Sequence, residues 1–510
     1  MNSIDQIAEK LESLTTDYSK LLWAQYTTGF DYGVNESQQK LNNYRKDKNV
    51  YKVICDALSS ATDPIEKRKA EILFNEVKEY HYSDKASKIL DQVQVLENSI
   101  MDLINKDRVS IDGQELNTTE INKIFNQSDD RKLRQKAYEA QILLNKKVVD
   151  HGFIQLINLR KELAAACNFD SFVEFKLDGY ELNTGIFSNW AELCKNKKSL
   201  FKEKTQKLAN QYLNVDQMEA WDYSYLKSKV CSYNQSEVDL TDFLMPMAKT
   251  FSKFGYEINN LNLTFDIFPR KNKSEWGYNF PIEIGKDARV LANVSNRVSD
   301  FWVLMHETAH GVHFLGLDPN EKALNAGVSG IVAEGFANFF GDQVYSMEFL
   351  TEIFSASEAE KAFVQFKDLE KISNLRNFRS IVETLFDQQL YTHDIQSLSD
   401  INQLRYQMSD DLLGERSAVS EIPWAKLVHH TLVPIYLHNY ILGDVMCDKM
   451  KQVFSRHNNS QNAADKPVEF GQFWQQKVLA LSGRYPFLEL YEKTCEEKLS
   501  IEDYLETLLK

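Results

Sequence analysis

Residues that could bind a metal ion stand together in one short segment, FWVLMHETAHGVHFLG, which runs from Phe301 to Gly316. His306 and His310 are four residues apart, so on a helix both imidazoles project from one face and can reach one ion. Glu307 lies beside the first histidine and can act on a water molecule without binding the metal. A zinc ion held this way lowers the pKa of its water toward ~7. The spacing therefore predicts that Glu307 takes a proton from that water and returns it to a leaving amine.

A third protein ligand is expected, because a catalytic zinc site combines three protein ligands with one open position. Glu334 is the candidate, in the segment GIVAEGFANFFGD, twenty-four residues after His310. The surrounding apolar residues place it on the buried face of a helix, where a carboxylate is costly without a cation. The alternative is an exposed acid on the wet side of that helix. Asn338 and Asp342 compete for a further role, accepting the hydrogen bond that fixes the tautomer of a ligand histidine.

One more histidine, His313, follows His310 by three residues and faces roughly the same side one turn further on. It is predicted to contact the substrate or to support the metal site from behind. A histidine packed in the core is the alternative, and the residues around it leave both open.

The elements that must position these residues can be predicted from periodicity. The helix around the motif is expected to start at Asp300 as its cap and to end at Gly316 in a left-handed turn, with Pro319 preventing its continuation. Most of the chain has apolar residues three and four apart, which indicates amphipathic helices. The stretch from Leu261 to Ser295 instead alternates apolar and polar residues between Gly and Pro turn signals. The pattern predicts a mostly α-helical protein with a small sheet directly before the metal helix.

Composition excludes several classes of protein. The chain has 510 residues and a formal net charge of −15, which argues against a nucleic-acid partner because phosphates are bound by surplus Lys and Arg. No apolar run approaches the ~20 residues needed to span a membrane. The first residues, MNSIDQIAEKLESL, carry charges where a secretory peptide needs an apolar core. Six scattered cysteines without a C-x-x-C pair fit reduced thiols, so the cytoplasm is the expected location.

A second histidine cluster lies in the segment HHTLVPIYLHNY, from His429 to Tyr440. On one continuous helix His430 and Tyr440 would be ~15 Å apart. Pro434 is expected in the first turn of a new helix, and that break lets both side chains converge on one cleft. An imidazole N–H and a phenol O–H can stabilise the oxyanion formed during amide hydrolysis. A buried aromatic helix with polar tips is the alternative.

Taken together, these motifs resemble the superfamily of thimet oligopeptidase, oligoendopeptidase F and angiotensin-converting enzyme, which are zinc peptidases with an H-E-x-x-H helix and a downstream glutamate ligand. HETAHGVH followed by AEGFANFFGD has the oligoendopeptidase form H-E-x-x-H-x-x-H, with the glutamate at the family's spacing. The segments GKDARVLANVSN, LLWAQYTTGFDYGVNES and LINLRKELAAACNFDSF are similar to parts of angiotensin-converting enzyme. The resemblance reaches from about Leu21 to the C-terminal helices and is patchy outside the zinc motif.

The resemblance implies a two-lobed helical ellipsoid with a deep substrate channel, which admits short peptides and excludes folded proteins, and a small β-sheet next to the metal helix. Residues 1–250 would form one wall of the channel, and residues 251–510 would form the catalytic region of the same body. It implies one zinc ion as cofactor and short peptides as substrates. His430 and Tyr440 match the pair that contacts substrate and stabilises the transition state, and Tyr436 matches a further substrate contact.

Departures from the family pattern bear on the mode of cleavage. The H-A-S-A strand motif of angiotensin-converting enzyme is replaced by WGYN, from Trp276 to Asn279. The lysine and tyrosine that bind a C-terminal carboxylate in that enzyme fall on Val428 and Leu437. An endo-acting oligopeptidase is therefore favoured over a dipeptidyl carboxypeptidase. A carboxypeptidase of the same superfamily stays open if a cation such as Arg289 or Lys426 binds the carboxylate, and so does a non-catalytic peptide-binding protein.

Overall fold

The computed structural model describes residues 3–116, 118–274, 277–294, 296–416, 418–419, 421–461 and 463–510. Helices dominate and the sheets are small, as the sequence predicts. In the described part of the chain, no helix combines the length and the apolar character that crossing a membrane requires. The α-helices are α1 (Ile4–Thr28), α2 (Val34–Arg45), α3 (Lys48–Ser60), α4 (Pro64–Val77), α5 (Asp84–Lys106), α6 (Thr118–Gln127), α7 (Arg131–Asp150), α8 (Phe153–Ala166), α9 (Phe172–Gly179), α10 (Trp190–Leu213), α11 (Tyr223–Val230), α12 (Leu240–Lys253), α13 (Val298–Leu315), α14 (Lys322–Asn325), α15 (Gly330–Asp342), α16 (Met347–Ile353), α17 (Ala356–Thr392), α18 (Leu398–Met408), α19 (Val428–Thr431), α20 (His438–Asn458), α21 (Pro467–Lys477), α22 (Phe487–Cys495) and α23 (Glu502–Leu508).

The chain divides into two compact units, each assembled from three stretches of sequence. Unit 1 comprises Met1–Tyr82, Asn234–Phe363 and Leu442–Leu499, and unit 2 comprises Ser83–Tyr233, Val364–Ile441 and Ser500–Lys510. This division is discontinuous along the chain, whereas the division predicted near residue 250 is continuous. The strands are β1 (Val109–Ile111), β2 (Gln114–Leu116), β3 (Leu263–Asp266), β4 (Tyr278–Glu283) and β5 (Asp287–Leu291).

Unit 1 contains a three-stranded sheet in the order β3-β5-β4, within the stretch predicted to form strands. Strand β5 is parallel to β3 and antiparallel to β4, with Tyr278 opposite Leu291. Helix α13 lies against β4 and β5. Gly311 faces this sheet, and a Cβ there would displace side chains, since it would lie 2.6 Å from the Cδ2 atom of Leu263 on β3 and 3.0 Å from the Nδ2 atom of Asn279 on β4. The sheet therefore supports the helix that carries the HExxH motif.

Both ends of α13 differ from the prediction. Asp300 lies in the first turn and does not cap the helix, whose N-cap is Arg297. The N–H of Val298 instead donates to the carbonyl of Ser236 at 3.3 Å, so a distant segment satisfies the start of the helix. Gly316 has a φ of −78° and is not left-handed, since its N–H closes a tight last turn. These are long-range and terminal effects that the local sequence pattern does not contain.

Helix α15 packs beside α13 in unit 1 and carries the predicted third ligand. Phe251 of α12 stacks on Phe340 of α15 with ring centroids 4.3 Å apart. Gly335 lets the backbone of α20 approach, because a Cβ there would lie 2.5 Å from the carbonyl oxygen of Gly443. Large apolar contacts and a glycine contact thus fix α15 from two sides.

Unit 2 is helical apart from the β1–β2 hairpin. Its core includes a cluster with Phe125, Tyr138 and Trp221, and a buried ion pair joins Arg134 to Asp222 at 2.8 Å. Helix α19 ends at Thr431 and α20 begins at His438, so the break predicted within the second histidine cluster is present. Pro434 lies in the connection before α20 and not in its first turn.

Candidate metal centre

The three predicted ligands converge within unit 1. His306 and His310 come from α13 and Glu334 comes from α15. The Nε2 atoms of His306 and His310 are 3.1 Å apart. The Oε2 atom of Glu334 lies 3.5 Å from the Nε2 atom of His306 and 3.6 Å from that of His310. Ligand atoms placed tetrahedrally about 2.1 Å from a zinc ion would be roughly 3.4 Å from one another. The donor types and their spacing therefore fit one zinc ion.

The electrostatics of this group match a cation site. Glu334 is 6% exposed, so the buried position predicted for it is observed. Burial would raise the pKa of this carboxyl, but hydrogen bonds and charges of His306 and His310 hold it well below its usual range. Burial lowers the pKa of His310 in turn, and Glu334 outweighs that effect, so the pKa of His310 is raised. The Glu334 carboxylate thus stabilises positive charge at this position. A bound metal cation can supply that charge in place of protons on the histidines.

Glu307 lies next to the ligand atoms and is not one of the converging group. A Cβ on Gly277 would lie 3.3 Å from its Oε1 atom, which places the carboxylate at the start of β4. The Asn279 Nδ2 atom, on that strand, donates to the backbone oxygen of Glu307 at 3.3 Å. Burial raises the pKa of Glu307, and the charges of His306 and His310 offset this only in part. A carboxylate with a raised pKa is suited to accept and return a proton.

The side chains predicted to fix a ligand histidine make other contacts. The amide of Asn338 donates to Asp444 Oδ1 at 2.8 Å. Asp342 accepts a hydrogen bond from Trp302 Nε1 at 2.9 Å, and the Trp302 ring stacks on His306 with centroids 5.0 Å apart. The Nδ1 atom of His306 has no hydrogen-bond partner in the described part of the chain. Asp342 therefore acts on the ligand through the indole, a contact that the four-residue spacing of Trp302 and His306 could have indicated.

His313 is packed in the interior of unit 1. Its side chain is 1% exposed, and its ring meets that of Phe336 edge-on with centroids 5.6 Å apart. It lines a small cavity together with Val332 and Tyr485. Burial lowers the pKa of His313 to about 3, so the imidazole is neutral. These contacts favour the packed core histidine, which was the alternative, over the predicted substrate contact.

The second histidine cluster lies in unit 2, and its two adjacent histidines have different surroundings. His430 is fully buried, and its Nε2 atom lies 3.1 Å from Glu383 Oε2. His429 is partly exposed and stacks on Tyr436 with centroids 5.7 Å apart. Its ring also meets Tyr440 edge-on at 5.8 Å. The imidazole that packs with the two tyrosines is therefore His429, and the role that the resemblance gives to His430 stays a prediction. The positions of the two histidines in the sequence give their separation from Tyr440 along the chain, but they do not give the direction in which either imidazole ring points.

Two cations were candidates for binding a peptide's C-terminal carboxylate. Arg289 is already neutralised, because it donates to both oxygens of Asp287 at 2.9 and 3.3 Å. Lys426 pairs with no carboxylate within the described residues, and burial lowers its pKa to about 8. Trp276, in the stretch that replaces H-A-S-A, lies outside the described residues. Lys426 is thus the stronger of the two candidates.

Comparison with known proteins agrees with the motifs. The family model of peptidase family M3 matches residues 124–254. No curated protein matches the chain in sequence. Solved structures share its fold over nearly its whole length. They include PZ peptidase A with an inhibitor (TM-score 0.77, 15% identity, 99% of this chain and 91% of that chain), a protein assigned as oligoendopeptidase F from Bacillus anthracis str. Ames (0.73, 14%, 99% and 90%), and an M32 carboxypeptidase from Deinococcus radiodurans R1 (0.69, 12%, 99% and 97%).

The fold is that of the helical M3 and M32 peptidases, so the resemblance inferred from the motifs is confirmed. The family match and the metal-binding group support a metallopeptidase of this kind. Structures of both an oligoendopeptidase and a carboxypeptidase share the fold, so the fold leaves the mode of cleavage open.

Proposed function

We propose that this protein is a zinc-dependent oligopeptidase that hydrolyses internal bonds of short peptides. The observation that carries the proposal is the convergence of His306, His310 and Glu334 within 4.8 Å of one another, with the partly buried carboxylate of Glu307 beside them. Three protein ligands leave one coordination position for a reactant, which is the arrangement of catalytic zinc sites. A purely structural zinc site would use four protein ligands.

The chain's own residues have separate tasks in this proposal. When bound, zinc would supply the positive charge that polarises a water molecule and the peptide carbonyl. Glu307 takes a proton from the water as its oxygen bonds to the carbonyl carbon. The same carboxyl then gives the proton to the amine nitrogen as the C–N bond breaks. The resemblance assigns Tyr440 as a hydroxyl donor to the oxyanion, and His429 replaces His430 as the imidazole beside it.

A carboxypeptidase is the second candidate function, because an M32 carboxypeptidase shares the fold and Lys426 is a cation that pairs with no carboxylate within the described residues. In that case the Lys426 ammonium would bind the free C-terminus of the peptide. A non-catalytic peptide-binding protein is less favoured, since both histidines, Glu334 and Glu307 are all present. The cytoplasm remains the predicted location.

The deciding experiment is hydrolysis of a set of internally quenched short peptides by the zinc-loaded protein, with and without a chelator, followed by mass spectrometry of the products. Each peptide is supplied with a free and with an amidated C-terminus. Chelator-sensitive internal cleavage of both forms supports the oligopeptidase. Cleavage that removes C-terminal residues and stops on amidation supports the carboxypeptidase. A zinc-loaded protein that cleaves none of the peptides would favour the peptide-binding reading.

The Glu307→Gln variant tests the assigned base. It should keep its zinc, because Glu307 is not among the ligands, while kcat falls by about a hundredfold to ten-thousandfold. Glu360→Gln, the same change at an exposed position on α17, is the control and should retain wild-type kcat. Wild-type turnover in Glu307→Gln would refute the mechanism.

A further inference from the structure

One face of α17 holds the connection between α19 and α20 in unit 2. This face carries Glu383, Asp387 and Tyr391, called here the polar stripe, which are four residues apart and therefore project from the same side of the helix. The connection comprises residues 432–437. It contains Tyr436 and is followed by α20, which carries Tyr440.

The outer members of the stripe fix the end of α19. Glu383 binds His430 through its Oε2 atom at 3.1 Å. Tyr391 acts through Arg160, which donates to the tyrosine hydroxyl at 2.7 Å and to the carbonyl oxygen of Thr431 at 2.8 Å. The two Arg160 contacts are buried and the Glu383 contact is partly buried, so water competes little for the last turn of α19.

The middle member holds the backbone of the connection itself. The Oδ2 atom of Asp387 accepts a hydrogen bond from the N–H of Ile435 at 2.5 Å. Asp387 is 1% exposed and Ile435 is 2% exposed. A carboxylate oxygen makes this bond charge-assisted, and it satisfies a buried amide that would otherwise be costly.

Ile435 has a conformation that needs such support. Its φ is +58°, in the left-handed region, which a β-branched side chain rarely adopts because its Cβ crowds the backbone. Backbone conformations of this kind persist only when their surroundings enforce them. The neighbouring Tyr436 takes its direction from this residue, and its ring packs against His429 and Tyr440.

We propose that Asp387 is a positioning residue, which holds Ile435 in the left-handed conformation and thereby sets the Tyr436 ring against His429 and Tyr440. The effect on turnover rests on the proposed function, whereas the effect on the backbone does not. Asp387 belongs neither to the H-E-x-x-H motif nor to the group of metal ligands.

The test combines Asp387→Ala with Ile435→Gly. Glycine adopts the left-handed region without strain, so it should make the carboxylate dispensable. In Asp387→Ala, the amide of Ile435 should exchange hydrogen at least about tenfold faster than in the wild type. Because the aromatic cluster is displaced, kcat should fall about tenfold to a hundredfold with little change in KM. In the double variant kcat should return to within about threefold of that of Ile435→Gly alone.

Two further variants keep the result interpretable. Asp387→Asn retains an acceptor oxygen and should stay near the wild type in exchange and in kcat, even if Asp387→Ala folds poorly. Thr384→Ala, a buried polar change on the same helix whose hydroxyl donates to the carbonyl of Ser380 in α17, should leave both quantities unchanged.

The proposal is overturned if Asp387→Ala leaves the exchange of the Ile435 amide unchanged, or if Ile435→Gly brings no recovery of kcat. A wild-type protein that cleaves no peptide would remove the proposed function, and the exchange measurement would still decide whether Asp387 holds the turn.

Discussion

The metal-binding group of unit 1 and the polar stripe of unit 2 use the same helical geometry for different purposes. In α13, two side chains four residues apart direct their nitrogens to one point. In α17, Glu383, Asp387 and Tyr391 have the same spacing and hold a neighbouring stretch of chain. Spacing determines which residues share a face, whereas residue type determines what that face can bind. Two histidines four residues apart have few functions in proteins, so the metal-binding group can be recognised in the sequence. Acidic residues and tyrosines with that spacing have many functions, so the polar stripe cannot.

The two groups also differ in what depends on them. The metal-binding group joins side-chain atoms on two well-packed helices, so removing one ligand should abolish chemistry and leave the fold. The stripe contacts a backbone amide and a backbone carbonyl, so its loss should change local structure first and chemistry second. The variants below test this difference, in order of decreasing effect.

The largest effect is expected for Glu334→Ala. With only His306 and His310 left as protein ligands, the protein should lose nearly all bound zinc and all detectable turnover, because catalytic zinc needs a third protein ligand. Metal analysis after dialysis against a weak chelator measures the loss, and circular dichroism shows whether the helices persist. Asn338→Ala is the matched control, one helical turn away and bonded to Asp444. Equal metal loss in both variants would contradict the assignment of Glu334 as the ligand.

An intermediate effect should separate the adjacent histidines. His429→Ala should lower kcat by about tenfold to a hundredfold, and Tyr440→Phe, which removes one oxyanion donor, is the reference for such a loss. The free energy of unfolding of His429→Ala should stay within about 0.5 kcal/mol of that of the wild type, because His429 is partly exposed. His430→Ala should lower the free energy of unfolding by about 1–3 kcal/mol, because a fully buried side chain is removed and the partly buried Glu383 loses a partner. The assignment fails if the kinetic loss is confined to His430→Ala.

The smallest effect on turnover is expected from pH, which acts here on stability. Burial raises the pKa of Asp387 from its ordinary 3.8 to about 6, although His430, Arg160 and Lys176 lower it. A raised folded-state pKa gives a contribution to stability that is complete below pH 3.8 and is lost as pH rises through about 6. Over this range the free energy of unfolding of the wild type should therefore fall relative to that of Asp387→Asn, by up to about 3 kcal/mol. Urea unfolding at a series of pH values measures this, and parallel curves would exclude the shift.

Much of unit 1 could be predicted because its signals are local. Three patterns each indicate the element in which they lie. They are the H-E-x-x-H spacing, the alternation between Leu261 and Ser295, and the apolar residues around Glu334. Helix α13, the sheet and the buried carboxylate are all found in the structure. The ends of α13 were missed, because its start is satisfied by the carbonyl of Ser236 from a distant segment.

The rest could not be predicted because it depends on which residues meet across long separations. The choice between His429 and His430 is decided by Glu383, more than forty positions earlier in the chain. The packing of His313 depends on Phe336, and the conformation of Ile435 depends on Asp387. The discontinuous compact units have the same origin, since each combines three stretches of sequence. Periodicity contains no information on such pairings.

The stacking of Trp302 on His306 has a consequence for spectroscopy. The emission of an indole depends on the charge of a ring in contact with it, and here that ring is a ligand imidazole. A cation bound at His306 brings positive charge close to the indole, and the bond from Trp302 Nε1 to Asp342 keeps the indole in place. The protein therefore carries an intrinsic fluorophore whose signal should report occupancy of the metal centre.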